Sequence, residues 1–237
     1  LIVGAGSAGS ILAERLSSDP ACAVTVLEGG PGLDDPGVRA LTGDAAVLPI
    51  GERSPVVRHY RTQLTEHPAR TADLVRGACV GGSGAVNGGY FWRADPVDFG
   101  AVPGWSWAEV VGHFDAVEAR IRVQRVTEFS TTTAGFATAA GAAGYGSEFV
   151  GVPLNIAAGR RLGPGVVFLD PVLGRPNLSV QTGTRVTRLR FAGHRATGVE
   201  AIGPDGAVTL PADRVVLCAG AIGSAQLPML SGIGPAG

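Results

Sequence analysis

Apolar and polar positions at the start of the chain follow the order strand, glycine turn, helix and strand. Residues 1–3 form a continuous apolar run, which is typical of a parallel strand buried on both faces. Residues 7–17 carry small and apolar side chains at helical spacing, and the valines of residues 23–30 alternate as in a strand. This pattern predicts a β–α–β unit.

The later part of the chain shows strand patterns joined by turns. Residues 176–220 contain three successive strand patterns, and the Pro-Asp-Gly sequence at 204–206 is typical of a hairpin turn. Between these two regions, Ser106 and Glu109 have the spacing of a helix capping box. Antiparallel strands beside a parallel sheet predict a mixed α/β fold.

Composition narrows the classes of function. Hydrophobic residues make up 45% of the 237 residues and charged residues 16%, which argues against a disordered chain. The net charge is -1 and the basic residues are scattered, whereas a nucleic-acid-binding surface needs a basic face. Cys22, Cys79 and Cys218 are far apart and accompany no Cys/His cluster, so neither a metal site nor a disulfide framework is predicted.

The turn after the first strand points to a nucleotide. Residues 4–9 read GAGSAG, so that Gly4, Gly6 and Gly9 form the pattern GxGxxG. Glycines at this spacing permit a tight turn, close approach of a phosphate, and close packing of the helix on the strand. Glu28 ends the next strand, where a carboxylate accepts hydrogen bonds from ribose hydroxyls and repels a 2′-phosphate. The unit predicts a dinucleotide site and disfavours NADP, but it does not decide between NAD and FAD.

Two further glycine-rich stretches extend this picture. Residues 76–93 read RGACVGGSGAVNGGYFWR, and residues 220–235 read GAIGSAQLPMLSGIGP. With the opening turn and VTVLEGGP at 24–31, they resemble, in the same order, the motifs of the GMC (glucose–methanol–choline) oxidoreductase family. The resemblance covers nearly the whole chain. It implies FAD as the cofactor, bound by a Rossmann-like domain with a mixed sheet and an inserted, incomplete substrate domain.

The resemblance also implies which residues contact FAD. The opening turn would hold the diphosphate, Glu28 the adenosine ribose, and the second stretch the flavin and diphosphate. Val186 would touch the adenine through its main chain, and the third turn would close over the dinucleotide. The predicted set is Gly4, Gly6, Ser7, Ala8, Gly9, Glu28, Gly29, Arg76, Gly77, Gly82, Ser83, Asn87, Gly88, Tyr90, Val186, Ala219, Gly220 and Ala221. Some family members attach the flavin covalently through a histidine where this chain has Val86, so the resemblance implies non-covalent FAD.

The domain organisation follows from the same resemblance. Residues 1–122 are expected to form the first part of the FAD-binding domain, residues 123–170 the start of the substrate-domain insertion, and residues 171–237 the second part of the FAD-binding domain. Family members continue past the third glycine stretch, so the chain is expected to be a truncated one.

The catalytic base is expected to be missing from this chain. Oxidation of an alcohol needs a base that takes the hydroxyl proton, and histidine suits this role because its pKa lies near working pH. Family members carry theirs beyond the third glycine stretch, and none of the four histidines here matches that position. His59 and His67 are predicted in a surface loop, His113 on the capped helix and His194 in a hairpin turn. No catalytic residue and no metal ligand is therefore predicted.

The expected function is oxidation of an alcohol, a CH–OH donor, by hydride transfer to flavin. Two alternatives stay open: an NAD-dependent dehydrogenase, which needs only the opening unit, and a catalytically incompetent nucleotide-binding fragment. A narrower resemblance, of GAVNGGYFWR and PLNIAAGRR to actinobacterial GMC enzymes associated with mycofactocin, implies a reduced redox cofactor as the substrate in place of a small-molecule alcohol. The electron acceptor is left open between oxygen and a respiratory carrier.

The expected location is the cytoplasm, with association to a membrane through an electron acceptor as an open alternative. Residues 215–237 carry no charge, but Gln226, Pro228 and the glycines among them argue against a membrane span. No nucleic-acid partner is expected.

Overall fold

The computed structural model describes residues 1–100, 103–145 and 151–234. The chain divides into two compact units, one formed by Leu1–Gly88 with Arg161–Gly237 and the other by Gly89–Arg160. These limits differ from the predicted boundaries at about residues 122 and 170. The helix Trp107–Ile121, which the prediction grouped with the FAD-binding part, belongs to the second unit because it packs on residues 96–99.

Strands and helices alternate at the start of the first unit, which continues mainly as strands, and the described part of the second unit contains two α-helices and several short strands. In chain order they are β1 (Ile2–Val3), α1 (Ser7–Leu16), β2 (Val24–Leu27), α2 (Pro36–Gly43), β3 (Val57–Thr65), β4 (Arg70–Gly77), α3 (Trp107–Ile121), β5 (Gln124–Arg125), α4 (Thr131–Ala142), β6 (Pro153–Leu154), β7 (Ile156–Ala157), β8 (Arg160–Arg161), β9 (Leu178–Gln181), β10 (Arg185–Ala192), β11 (Arg195–Gly203), β12 (Gly206–Pro211), β13 (Val216–Leu217) and α5 (Gly220–Leu230).

The first unit is built on a four-stranded parallel sheet in the order β13–β1–β2–β9. Ile2 of the central strand β1 lies between Val216 of β13 and Val26 of β2. Ile2 and Val26 are almost completely buried, and α1 covers one face of the sheet through small residues such as Ala13. The apolar run at the start of the chain is therefore a buried parallel strand, and the prediction of a Rossmann-like α/β fold is confirmed.

A three-stranded antiparallel sheet, β10–β11–β12, completes the mixed architecture of this unit. Leu189 of β10 and Leu227 of α5 share its core with Val3 and Leu27 of the parallel sheet. The predicted turn at 204–206 joins β11 to β12, and His194 lies in the tight turn between β10 and β11, as predicted.

The prediction of a surface loop around His59 is wrong, because β3 and β4 form a long antiparallel hairpin. His59 lies within β3 opposite Val75 of β4, whereas His67 lies in the turn between the two strands. The strand escaped detection because polar side chains occupy both of its faces, which removes the alternation that marks a half-buried strand.

The second unit is centred on α3, which begins at the predicted capping box. The Glu109 carboxylate accepts hydrogen bonds from the main-chain N–H of Ser106, at 2.8 Å, and from its hydroxyl, at 2.7 Å. Three aromatic rings pack together at its start, with centroids 5.7 to 6.0 Å apart: Phe99, Trp107 and Phe114. These contacts tie α3 to the segment before it.

Candidate functional site

A cleft of about 580 Å³ lies at the carboxyl edge of the parallel sheet in the first unit. Gly4 follows β1, Glu28 follows β2 and Cys218 follows β13, and all three line the cleft. The chain leaves β1 toward β2 on one side, while β13 lies on the other side. Ligands of open α/β sheets bind at such a reversal of strand order, because the loops diverge there and leave a crevice.

The opening turn brings α1 very close to the end of β1. Gly4 has φ of +98°, and a Cβ at this position would lie 2.5 Å from the carbonyl oxygen of Cys218. A Cβ at Gly9 would collide with the carbonyl oxygen of Gly4. Ser7 and Ala8 then start α1 on the cleft with no acidic residue in the first turn. Free N–H groups and the partial positive charge of a helix N-terminus suit an anion.

Glu28 is a buried carboxylate, only 8% exposed, at the end of β2. Its Oε2 accepts a hydrogen bond from the Ala5 N–H at 2.8 Å, and its Oε1 accepts one from the Gly30 N–H at 2.9 Å. An ionised carboxylate has about four acceptor positions, so two bonds leave capacity for hydroxyl donors. The side chain is thus held against the opening turn and lines the cleft.

The second glycine stretch packs main chain to main chain against the first. The Gly81 N–H donates to the carbonyl oxygen of Ala5 at 2.8 Å. Gly82 has φ of +55°, and a Cβ there would lie 2.8 Å from the Cα of Gly6. The Ser83 hydroxyl accepts a hydrogen bond from the Gly77 N–H at 3.0 Å, which closes the loop on the end of β4.

The third glycine stretch enters the cleft beside the other two. The Cys218 N–H donates to the carbonyl oxygen of Val3 at 2.8 Å, so β13 runs beside β1 up to the turn. Residues 219–221 line the cleft as α5 begins. We call the turns at residues 4–9, 77–83 and 219–221 the glycine wall.

Most of the predicted site residues line this one cleft. The exceptions are Gly9, Asn87, Gly88 and Tyr90. Gly9 is buried beneath the turn, where it allows α1 and β1 to approach, and Tyr90 belongs to the second unit. Contact of the remaining set with a dinucleotide stays a prediction.

The cleft is also lined by two side chains of β3 that the sequence analysis missed. These are Arg58 and Tyr60, and together with the predicted Arg76 of β4 we call them the hairpin wall. Arg58 and Arg76 are register partners, directly opposite each other. Side chains two positions apart in a strand share one face, so Arg58 and Tyr60 could have been grouped if β3 had been predicted as a strand. Thr184, Arg185 and Thr187, around the start of β10, also line the cleft.

The thiol of Cys79 lies behind the glycine wall, in a core with Val56 and Val86. Burial, and secondly the negative charge of Glu28, raise the pKa of this thiol to about 12. Burial also raises the pKa of Cys218. Both thiols are therefore poor nucleophiles at neutral pH.

No histidine is among the residues that line the cleft, within the described parts of the chain. In those same parts, no cluster of three or more His, Cys, Asp or Glu side chains could hold a metal ion. No helix among residues 1–100, 103–145 and 151–234 has the length and apolar character needed to cross a bilayer.

The comparison with known proteins decides the family. The family profile described as GMC oxidoreductase matches residues 1–237. The chain belongs to the GMC oxidoreductase family. Family membership confirms FAD as the cofactor and decides between the two dinucleotides that the opening unit left open. The cleft fits this assignment, because a long groove with a helix N-terminus, a buried acid and three arginines suits an anionic dinucleotide.

Individual relatives support this membership. An uncharacterized GMC-type oxidoreductase of Rhodococcus erythropolis is 36% identical over 266 residues, covering 100% of this chain and 53% of that protein. The oxygen-dependent choline dehydrogenase of Staphylococcus haemolyticus is 30% identical and covers 100% of this chain and 47% of its own length. The crystal structure of pyridoxine 4-oxidase from Mesorbium loti superposes with a TM-score of 0.85 at 32% identity, covering 99% of this chain and 52% of the oxidase. The chain thus spans about half the length of these relatives.

Proposed function

We propose that this chain forms the FAD-binding part of an oxidoreductase that oxidises a CH–OH group. The convergence of three glycine turns and the buried carboxylate of Glu28 on one cleft supports this most strongly. Bound FAD supplies an acceptor for the two electrons and the hydrogen that leave the alcohol carbon as a hydride. The chain's own residues bind and orient that cofactor.

Each part of the cleft has a distinct binding task in this proposal. The N-terminus of α1 at Ser7 and Ala8, with the main chain of Ser83, holds the diphosphate through N–H donors. The Gly82 N–H itself donates to the Cys79 carbonyl oxygen, so Gly82 contributes the close approach of the second turn instead. Glu28 accepts hydrogen bonds from the adenosine ribose. Val186 lies against the adenine, and residues 219–221 close over the dinucleotide.

A small-molecule alcohol is the substrate class that we propose. The named relatives act on pyridoxine and on choline, and both compounds carry hydroxyl groups. The narrower prediction, a reduced redox cofactor of the mycofactocin type, rests on the two sequence stretches at 84–93 and 153–161 alone. The electron acceptor stays open between oxygen and a respiratory carrier. The cytoplasmic location stays a prediction for the same reason, since a respiratory carrier would bring the protein to a membrane.

We also propose that FAD is dissociable and that the chain alone does not turn over alcohol. Val86, at the position where some family members carry a flavin-linked histidine, has no nucleophile with which to form a bond. The absence of His59, His67, His113 and His194 from the residues lining the cleft supports this proposal.

The binding proposal is tested by titrating the purified chain with FAD and following the quenching of flavin fluorescence. Glu28→Gln is expected to weaken FAD binding about tenfold, because an amide nitrogen replaces one acceptor oxygen. Glu52→Gln, an exposed site away from the cleft, is the matched control and should bind as the wild type does. A chain that binds NADH but no FAD would contradict the proposal.

Two further measurements address attachment and turnover. Acid precipitation of the FAD-loaded protein should release all of the yellow colour into the supernatant; colour retained in the pellet would indicate a covalent bond. Reduction of an electron-accepting dye by choline or pyridoxine is expected to be absent with this chain alone. Dye reduction would show instead that a base within the chain suffices.

A further inference from the structure

Arg161 is the largest side chain that is fully buried in the first unit, with only 2% of the residue exposed. Within the described residues, every hydrogen bond of its guanidinium ends on a main-chain carbonyl oxygen. These oxygens belong to Thr42 at 2.7 Å, Asn87 at 2.8 Å, Val47 at 2.9 Å, Asp44 at 3.1 Å and Ala85 at 3.4 Å. Such a cage of carbonyls is an unusual place for a charged side chain, since buried arginine is normally paired.

The hydrogen-bond geometry explains how a cation is tolerated there. Arg161 makes no hydrogen bond to a carboxylate among the described residues. Burial lowers the pKa of the guanidinium, and the negative charge of Asp44 opposes this only in part. Arginine nevertheless stays protonated in proteins, and its five N–H donors form a planar fork. Carbonyl dipoles satisfy that fork from several directions, which a lysine ammonium with three donors at one point cannot reproduce.

The carbonyls come from two segments, residues 42–47 and residues 85–87, that lie far apart in the sequence. Thr42, Asp44 and Val47 lie at and after the end of α2. Ala85 and Asn87 lie in the second glycine stretch, directly after Gly82 and Ser83, which line the cleft. The guanidinium therefore fixes the outgoing path of the same stretch whose beginning forms part of the glycine wall.

We propose that Arg161 is a positioning residue for FAD: it clamps the main chain at residues 85–87 to residues 42–47 and so sets the second glycine stretch in its FAD-binding conformation before the cofactor arrives. The inference rests on the proposed FAD-binding role of that stretch. Pre-organisation of this kind raises the affinity for FAD, because binding then loses no free energy to the ordering of the loop.

The test compares Arg161→Ala with Arg175→Ala. Arg175 is the matched control, because it too holds main chain, donating to the Glu14 carbonyl at 2.6 Å and the Ser17 hydroxyl at 2.8 Å, but at the end of α1 away from the cleft. FAD affinity is measured by fluorescence quenching at a temperature where circular dichroism shows each apoprotein to be folded. We expect Arg161→Ala to bind FAD about tenfold more weakly and Arg175→Ala to bind it as the wild type does.

Rescue separates positioning from a general loss of stability. Methylguanidinium added to Arg161→Ala should occupy the vacated carbonyl cage and restore part of the FAD affinity, together with the visible circular dichroism of the bound flavin. The same compound should leave Arg175→Ala unchanged. Equal FAD affinity in folded Arg161→Ala and wild type would overturn the inference, as would a loss of affinity that methylguanidinium does not reverse.

Two measurements keep the inference testable if Arg161→Ala does not fold. Arg161→Lys keeps the charge and loses the fork, so it is expected to bind FAD severalfold more weakly; wild-type affinity would overturn the inference. In the wild-type apoprotein, amide hydrogen exchange at residues 82–88 should already be slow before FAD is added, and rapid exchange there would overturn it. Failure of the wild type to bind FAD at all would instead count against the proposed function.

Discussion

The glycine wall and the hairpin wall line the same cleft, one with main chain and the other with side chains. The glycine wall is main chain: two of its turns touch at Gly6 and Gly82, where a Cβ on Gly82 would lie only 2.8 Å from the Cα of Gly6. The hairpin wall consists of long side chains, the exposed Arg58 and Arg76 and the half-buried Tyr60. One wall offers main-chain N–H groups at a helix start, and the other offers the positive charge of two arginines.

This difference teaches how each wall responds to change. A main-chain wall is close-packed, so that a single added methyl group must displace backbone. A wall of exposed side chains can lose one member and leave its strands in place. Substitutions in the glycine wall should therefore affect folding or abolish binding, whereas substitutions in the hairpin wall should tune affinity.

The largest effect is expected for Gly9→Ala. The added Cβ would collide with the Gly4 carbonyl oxygen and force α1 away from β1. We expect a loss of about 2–4 kcal/mol in the free energy of unfolding, measured by urea denaturation. Gly112→Ala makes the same change in α3, where a Cβ meets no atom within 4 Å. That control should be neutral or more stable by up to about 1 kcal/mol, and equal losses in both variants would contradict close packing at Gly9.

A second test separates the space at Gly82 from its backbone conformation. Gly82 and Gly193 have φ of +55° and +59°, but only Gly82 has a close neighbour, the Cα of Gly6. Alanine at either site should cost about 1 kcal/mol for the left-handed conformation. Gly82→Ala should in addition weaken FAD binding about tenfold or more, because the two glycine turns must move apart. Fluorescence titration checks this, and unchanged FAD affinity in Gly82→Ala would show that the two turns separate freely.

The glycine wall could be predicted from the sequence and the hairpin wall could not, for a physical reason. Gly4 and Gly82 adopt positive φ in tight contacts, which only glycine tolerates, so the residue type itself reports the geometry. Arg58 is defined by its pairing with Arg76, which lies 18 positions away in the chain and depends on the register of the hairpin. A strand with polar side chains on both faces gives no period from which to infer that register.

Arg161 escaped prediction for a related reason. A charged residue is expected at the surface, because burying it unpaired is costly. Only the folded arrangement of five carbonyls from two distant segments makes its burial possible. The parallel sheet, by contrast, followed from a short apolar run and a glycine turn, since both signals are local.

A smaller effect concerns the thiol behind the glycine wall. The pKa of Cys79 is raised from its ordinary value of 9.0 to about 12, chiefly by burial. The folded state therefore keeps the proton while the unfolded chain releases it, so the stabilisation is complete below about pH 9 and is lost as pH rises toward 12. The free energy of unfolding should fall by about 2 kcal/mol at the middle of that window.

Urea denaturation across this pH range checks the effect against two variants. Cys79→Ala should show a flatter alkaline profile than the wild type, after allowance for its lower stability at neutral pH. Cys22→Ala, which alters a half-exposed thiol, should keep the wild-type slope. A wild-type slope in Cys79→Ala would mean that water reaches the thiol and that the glycine wall is not sealed behind the cleft.

The smallest effect is expected in the hairpin wall. Arg58 and Arg76 face each other directly across β3 and β4, and like charges so placed repel. A bound diphosphate would relieve that repulsion, so Arg58→Gln should weaken FAD binding severalfold at low salt and less at high salt, where exposed charges are screened. Without FAD, the same variant should be as stable as the wild type or slightly more so, because one of the two facing positive charges is gone.

Arg61→Gln is the matched control, since Arg61 lies on the other face of β3 opposite Asp73 and does not line the cleft. If Arg61→Gln weakened FAD binding as much as Arg58→Gln at both salt concentrations, the hairpin would act through its overall charge, and the hairpin wall would not be a wall of the FAD site.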